Sequence, residues 1–466
     1  MAQADHMTGG ASLHHNAPAT EVIHKLSAVS SPNPGCLIPL LVRWNFPLSE
    51  IPGPSLASWT RFWWLGVLRF GKADEKLVRL HKEYGPIVRI APNTVIVSDP
   101  ETARKILAVG SKCTRGPWFD SFRLEPNKTT VVSERDPKRH QELGYLSGKD
   151  IIDVEAIIDE HVIPFLTLDI ISRLCLGNSF HCLEADNDQY GLLDALHSGM
   201  VAQQYLATLL EFKDLLFLSE SRLRLRIANT TKQGSAKDML DSFLSRGLRV
   251  DQATNELLVV LSSGVGATAC AVQGIIRCIV ADPHAQRKLQ RDIDAVVSSY
   301  GYGPLDAVAE SAICQMPYFQ ACITEGLRLY PPVSLLRERV VPPEGDIMHG
   351  YRIPGGTFPI FGSEPEEFRP ERWLINDKFQ LKQMARHLEL VFGYGASKCL
   401  GVNLAYTELN KIIFELFRNH DLQFANPEHP WTARGDFVLS DFHVVVVARA
   451  NSAKLIQGGF SMSHAP

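Results

Sequence analysis

The chain has 466 residues, 45% of them hydrophobic, enough for a large buried core. Lys and Arg number 47 against 51 Asp and Glu, a formal charge of −4, so no net positive charge points to nucleic acid as a partner. Nine scattered cysteines, with no CxxC pair and no Cys/His cluster, argue against a dense disulfide framework, structural zinc and iron–sulfur clusters. A reducing compartment is the simpler setting.

Residues 1–50 are rich in Ser, His, Ala and Pro. Their apolar run Cys36–Val42 is broken by Pro39 and is far shorter than the roughly 20 residues a bilayer span needs. They are expected to be a poorly ordered leader or the remnant of a membrane-anchor region, with residues 51–466 as one domain. Ile51-Pro-Gly-Pro54 is a rigid turn, followed by the aromatic stretch Trp59–Phe70 and a helix through Lys76–His81. Ile87–Ile90 and Thr94–Val97 read as two short strands, and Asp99 caps the next helix. From about 150 to 300 nearly everything reads as helix: 151–166, 168–176, 190–217, 236–247 and 253–280. The last of these is apolar all round, hence central, and carries Gly264, Gly266 and Gly274. Each costs about 1 kcal/mol relative to alanine. A flat cofactor lying close, or close helix–helix packing, would explain them equally well. Val340–Thr357 returns to short strands, and Phe442–Ala448 reads as a buried strand.

The chemistry concentrates near the C-terminus. Phe392-Gly-Tyr-Gly395-Ala-Ser-Lys398-Cys399-Leu-Gly401 is a tight loop presenting one thiol ahead of a helical stretch. Exposed N–H groups and the helix dipole favour an anionic sulfur there. A single axial thiolate is what a haem iron takes in one class of oxidising enzyme, where it pushes electron density toward the iron. In Ala321-Cys-Ile-Thr-Glu325-Gly-Leu-Arg328, Glu325 and Arg328 share a helical face, and Phe368-Arg-Pro-Glu-Arg372-Trp373 supplies a further arginine.

These three segments, in this order, resemble the cytochrome P450 superfamily, and the resemblance runs from Ile51 to Arg449. It is most similar to the fungal type that tailors secondary metabolites, such as the pisatin demethylase-like members. The resemblance implies a mainly α fold with minor β, a single helical prism with small discontinuous sheets. It implies haem b (iron protoporphyrin IX) bound through Cys399 as the metal ligand, with Phe392, Gly395, Lys398, Gly401, His140, Gly264 and Ala267 around it. Glu325, Arg328 and Arg372 would form a structural network. An NADPH–cytochrome P450 reductase would supply electrons to a monomer on the cytosolic face of the endoplasmic reticulum membrane. Membrane contact would be peripheral, and the substrate an apolar small molecule touching Tyr205, Leu206, Val260–Ala267 and Val333–Leu336. The reaction would be hydroxylation, epoxidation or desaturation.

Departures from the family pattern qualify this. The acid–threonine pair expected on the central helix falls on Ser263-Gly264-Val265-Gly266-Ala267-Thr268, which has no acid. Proton delivery then falls to Ser263 and Thr268, named as catalytic candidates, with Ser262, water or a substrate hydroxyl. The basic residue two before the cysteine is Ser397, leaving Lys398 and His140 for the haem propionates. Between Thr357 and Phe368 only ten residues replace a strand and a short helix. Either the sheet edge is rebuilt or coding sequence has been lost; the second is expected, giving a poorly active chain. A haem-thiolate isomerase, dehydratase or coupling enzyme, or a degenerate haem-binding protein, are the rivals.

Overall fold

The computed structural model describes residues 48–69, 73–123, 128–147, 166–177, 179–185, 238–303, 306–333, 338–355, 357–361, 367–428, 432–434, 438–440 and 444–449. The helices expected over 151–166 and 190–217, and the contacts at Tyr205 and Leu206, lie outside them.

Helices α1 (Phe62–Arg69) and α2 (Ala73–Tyr84) lie on a small sheet. Its strands β1 (Ile87–Ala91) and β2 (Thr94–Val97) pair antiparallel, with Ile87 opposite Val97 and Arg89 opposite Val95. Side chains alternate across a strand. Val88, Ile90 and Ile96 therefore join Trp64, Leu68, Leu77 and Leu80 under the helices. Ile87, Val95 and Val97 face the other way, onto Ile106, Leu107, Val341 and Ile353. Asp99 caps α3 (Pro100–Leu107), its Oδ2 accepting Thr102 N at 2.8 Å. Two short strands follow: β3 (Thr114–Arg115) and, far along the chain, β4 (Arg339–Val340), paired antiparallel so that Arg115 stands opposite Arg339.

The larger core is helical. α4 (Pro137–Ser147), α5 (Leu166–Leu176) and α6 (Met239–Ser245) precede the 32-residue α7 (Val250–Ala281), and α8 (Pro283–Tyr300) and α9 (Pro317–Leu329) follow. α7 runs through the middle, packed by α5, α9 and the late helix α11 (Val402–Asn419). Leu257, Leu261, Ile275, Ile279, Phe319, Phe414 and Phe417 in this cluster are fully buried. Close packing accounts for Gly264 and Gly274. A Cβ on Gly264 would lie 2.9 Å from Ile171 Cδ1, and one on Gly274 would lie 2.6 Å from Tyr330 Cβ.

Two expectations are corrected. The stretch after Thr357 does supply a strand. β5 (Phe358–Phe361) runs parallel to β2, from Thr94 opposite Phe358 to Val97 opposite Phe361. β2 therefore keeps a neighbour on each side, and the sheet edge is rebuilt from these few residues. At the other end, β7 (Val444–Ala448) does form, antiparallel to β6 (His420–Phe424), but it is not a buried strand. Val445, Val446 and Val447 are about half exposed, at 48–50%, and among the described residues the ladder has two strands.

Candidate functional site

The cysteine loop is shaped by positive-φ glycines and closed by one backbone bond. Gly393 (φ 80°) and Gly395 (φ 61°) adopt a conformation that side chains disfavour. A Cβ at Gly395 would also run into Leu107 O at the end of α3. Gly395, expected to touch a cofactor, thus anchors the loop to α3. Cys399 N donates to Phe392 O at 2.6 Å, and α11 begins three residues on, at Val402. The Cys399 side chain is exposed. Phe392 leans on Tyr406 of α11, ring centroids 5.2 Å apart. A Cβ on Gly401 would have Cys399 Sγ, at 4.0 Å, as its one neighbour within 4 Å, so a flat group can approach there.

Ser397, two residues before Cys399, accepts from both Arg339 Nη2 at 2.7 Å and Arg115 Nη2 at 3.3 Å. Arg115 also donates to Val131 O and Val132 O, and both guanidinium groups stand over the Phe119 ring. Like charges directly opposite across a strand pair repel. Burial, then the Arg339 charge, lowers Arg115 to about 9. Burial lowers Arg339 to about 10. His140, 8% exposed on α4, is lowered to about 4 by burial and then by Arg115 and Arg339. Among the described residues neither arginine pairs with a carboxylate. A buried cation, Arg339, and a half-buried one, Arg115, repel each other beside the cysteine loop and form a cradle for an anionic group, and the propionates of haem fit it.

His140 stands near these two arginines, whereas Lys398 points away from them. Its exposed side chain lines a surface groove of about 460 Å³ with Val109, Glu389 and Tyr394. Arg115, Arg339 and Phe119 escaped the sequence reading. The available signal was a lone arginine in each of two strand-like runs, Cys113-Thr-Arg115 and Arg339-Val-Val341.

On α7, Val260, Gly264 and Ala267 are partly exposed and Ser263 exposed, forming one open stripe; Ser262, Gly266 and Ala269 are partly exposed as well, while Leu261, Val265 and Thr268 are buried among them. Gly264 has its vacant side filled by Ile171, which makes it a packing glycine rather than a cofactor contact. Thr268, expected to face the chemistry, is 5% exposed, and its Oγ1 donates to Glu408 Oε2 on α11 at 2.9 Å. One residue past Ala267 is a turn of about 100° around the helix, which carries Thr268 off the open stripe. Val333 is described, whereas 334–336 are not.

The structure brings Glu325, Arg328 and Arg372 together. Glu325 is fully buried and accepts from Arg328 Nε (2.9 Å), Arg328 Nη2 (3.0 Å), Arg372 Nε (2.8 Å), Arg369 N (3.0 Å) and Trp373 Nε1 (2.8 Å). Burial pushes this carboxyl up, but the bonds from Arg328, Arg369 N and Trp373 outweigh it and hold it below the usual carboxylate range. The bonds tie α9 to the turn Pro370–Leu374, which leads through α10 (Lys378–Leu388) to the cysteine loop.

A mainly helical fold with small sheets, an exposed thiol in a glycine loop and a caged Glu–Arg–Arg network define a haem-thiolate class of protein. The cytochrome P450 family model matches residues 220–441. Cytochrome P450 monooxygenase aba1 of Botryotinia fuckeliana is 29% identical over 82% of this chain and 88% of its own length. Monooxygenase abl1 of Leptosphaeria maculans is 29% identical over 84% and 81%. Monooxygenase gsfF of Penicillium aethiopicum is 27% identical over 84% and 91%. The chain is thus similar to cytochrome P450 monooxygenases of fungi over 82–84% of its length.

Proposed function

We propose that the chain is a haem-thiolate monooxygenase that hydroxylates, epoxidises or desaturates an apolar fungal secondary metabolite, using electrons from NADPH passed on by a reductase. The observation that carries this is that the exposed Cys399 thiol stands two residues from Ser397, on which the buried Arg339 and the half-buried Arg115 converge. Bound haem would supply a redox-active iron for oxygen chemistry that no side chain performs. Cys399 would hold the haem iron as a thiolate, its anion favoured by the N–H groups that open α11. Arg115 and Arg339 would hold the propionates by charge-assisted hydrogen bonds, with a neutral His140 beside them. Phe392 and Tyr406 would limit water on the thiolate side. Val260, Ser263 and Ala267 would form the wall against which an apolar substrate lies, Ser263 offering it one hydrogen bond.

The same reading places the chain at the cytosolic face of a membrane. Leu56, Trp59 and Phe62 are 65%, 57% and 69% exposed, within seven residues of sequence. Pro52–Arg69 contains Arg61 and Arg69 and no acid, which suits an anionic lipid interface.

The test is the carbon-monoxide difference spectrum of the reduced, haem-loaded protein. A Soret band at the long wavelength typical of thiolate ligation is expected in the wild type and absent in Cys399→Ala. A wild-type band at the position typical of imidazole or neutral thiol would overturn the assignment.

A further inference from the structure

The inference rests on the haem-thiolate reading and concerns a buried carboxyl to which that reading gives no task. Glu256 stands in the second turn of α7, 1% exposed, between Asn255 and Leu257, which are buried too. Among the described residues no cation pairs with it, and a polar group so placed costs free energy unless it is hydrogen-bonded. Both of its oxygens accept from one donor 125 positions away, Val131 N, at 2.9 Å to Oε1 and 3.1 Å to Oε2.

Val131 belongs to the turn Thr130–Glu134. The turn is closed from within, Glu134 N donating to Thr130 O and Thr130 N to Ser133 Oγ, each at 2.9 Å. Three of its carbonyls serve the half-buried Arg115. Nη1 of that guanidinium donates to Val131 O (3.0 Å), Val132 O (2.8 Å) and Glu134 O (3.2 Å), while Nη2 reaches Ser397 Oγ at 3.3 Å. Peptide dipoles thus stand in for the carboxylate that Arg115 lacks, and they hold the guanidinium only as firmly as the turn itself is held.

We propose that Glu256 is the positioning residue for Arg115. Gripping Val131 N from α7, it fixes the turn whose carbonyls aim the guanidinium at Ser397 and at the propionate beyond. Haem retention is thereby tied to the helix that also carries the substrate wall, which begins four residues on at Val260. From Glu256 to Val131, Arg115 and Ser397, every link is a hydrogen bond or a single residue of backbone. The assignment explains why a carboxyl is kept where leucine would pack, since an apolar side chain would leave Val131 N without its acceptor.

The test is a double-mutant cycle read as the rate of haem transfer from the haem-loaded protein to a haem-scavenging protein. Burial pushes the Glu256 carboxyl up to about 7, so at pH 6 it is mostly protonated and glutamine reproduces both its shape and its charge. Arg115→Met should speed release at least about tenfold, the loss of one charge-assisted bond. Glu256→Leu should speed it at least about fivefold, the low end of the cost of a bond left unmade. Glu256→Gln, which still offers Val131 N an oxygen, should release haem at the wild-type rate. In the Arg115→Met background Glu256→Leu should add less than about twofold, because it acts through the arginine, whereas a merely structural carboxyl would multiply the two effects in full. The proposal is overturned if Glu256→Leu keeps the wild-type rate, if Glu256→Gln loses as much as Glu256→Leu, or if the two effects multiply. Should Glu256→Leu fail to fold, Glu256→Asp, one carbon shorter, takes its place in the cycle with the same outcomes deciding. Wild-type release from Arg115→Met would overturn the propionate assignment and this inference with it. Haem uptake without the thiolate Soret band would overturn the Cys399 reading alone, since the cycle needs bound haem and not the thiolate.

Discussion

Replacing Glu325 with glutamine should be among the most damaging single changes outside the cofactor site. The carboxylate is fully buried and takes five hydrogen bonds, three of them from Arg328 and Arg372. Counting each charged bond at about 1.5–3 kcal/mol would overstate the loss, because such bonds are not additive and glutamine keeps one acceptor oxygen. The closer guide is the cost of removing one partner from a buried ion pair, about 3–5 kcal/mol. Arg328 and Arg372 keep about a quarter and a fifth of their side chains exposed, so solvent recovers part of it. The expectation is therefore about 3 kcal/mol. Because the turn Pro370–Leu374 would lose its tether to α9, haem release should quicken as well. Urea unfolding at pH 7, followed by helical circular dichroism and by the Soret band, measures both. The Glu325 carboxyl is lowered on folding, so its contribution is present above its unfolded value near 4.5 and is lost as pH falls through the folded one. The gap between wild type and Glu325→Gln should accordingly close in acid. A loss under about 1 kcal/mol at pH 7, or a gap that persists unchanged below pH 4, would refute the argument.

Arg339→Met should weaken haem retention at least about tenfold in transfer to a haem-scavenging protein, since a charge-assisted bond is worth about 1.5–3 kcal/mol; Lys398→Met, on the exposed groove, should leave retention unchanged. Glu256 is pushed up to about 7 by burial, so its stabilising effect is complete below about 4.5 and is lost as pH rises through 7. At about 1.4 kcal/mol per unit, Glu256→Gln should remove up to about 3 kcal/mol of pH dependence from unfolding across that window. Gly326→Ala would place a Cβ 2.6 Å from Ile275 Cγ1 and 3.0 Å from its Cα, and should destabilise by about 1–3 kcal/mol in thermal unfolding. A triple change of Leu56, Trp59 and Phe62 to serine should abolish sedimentation with anionic vesicles, whereas Phe379→Ser, equally exposed on α10, should not.

Local pattern is enough to read much of this chain. The cysteine loop, the Glu325–Arg328 spacing, the Asp99 cap and the extent of α7 each depend on residues close together in sequence, so turn chemistry and helical periodicity make them legible. Distance in sequence hides the rest. Arg115 and Arg339 are 224 positions apart (339 − 115) and meet only because β3 and β4 pair in one register. Thr268 and Glu408 meet because α7 and α11 pack together, and the turn of about 100° from Ala267 to Thr268 carries the threonine onto that packed face. The strand after Thr357 is recovered because a parallel partner, β2, was waiting with unpaired backbone groups, and hydrogen-bond demand of that kind is invisible in either segment alone. The sequence by itself determines which side chains can do this chemistry. Only the tertiary structure decides which of them face one another, because burial and register are set by the packing of segments that share no sequence neighbourhood.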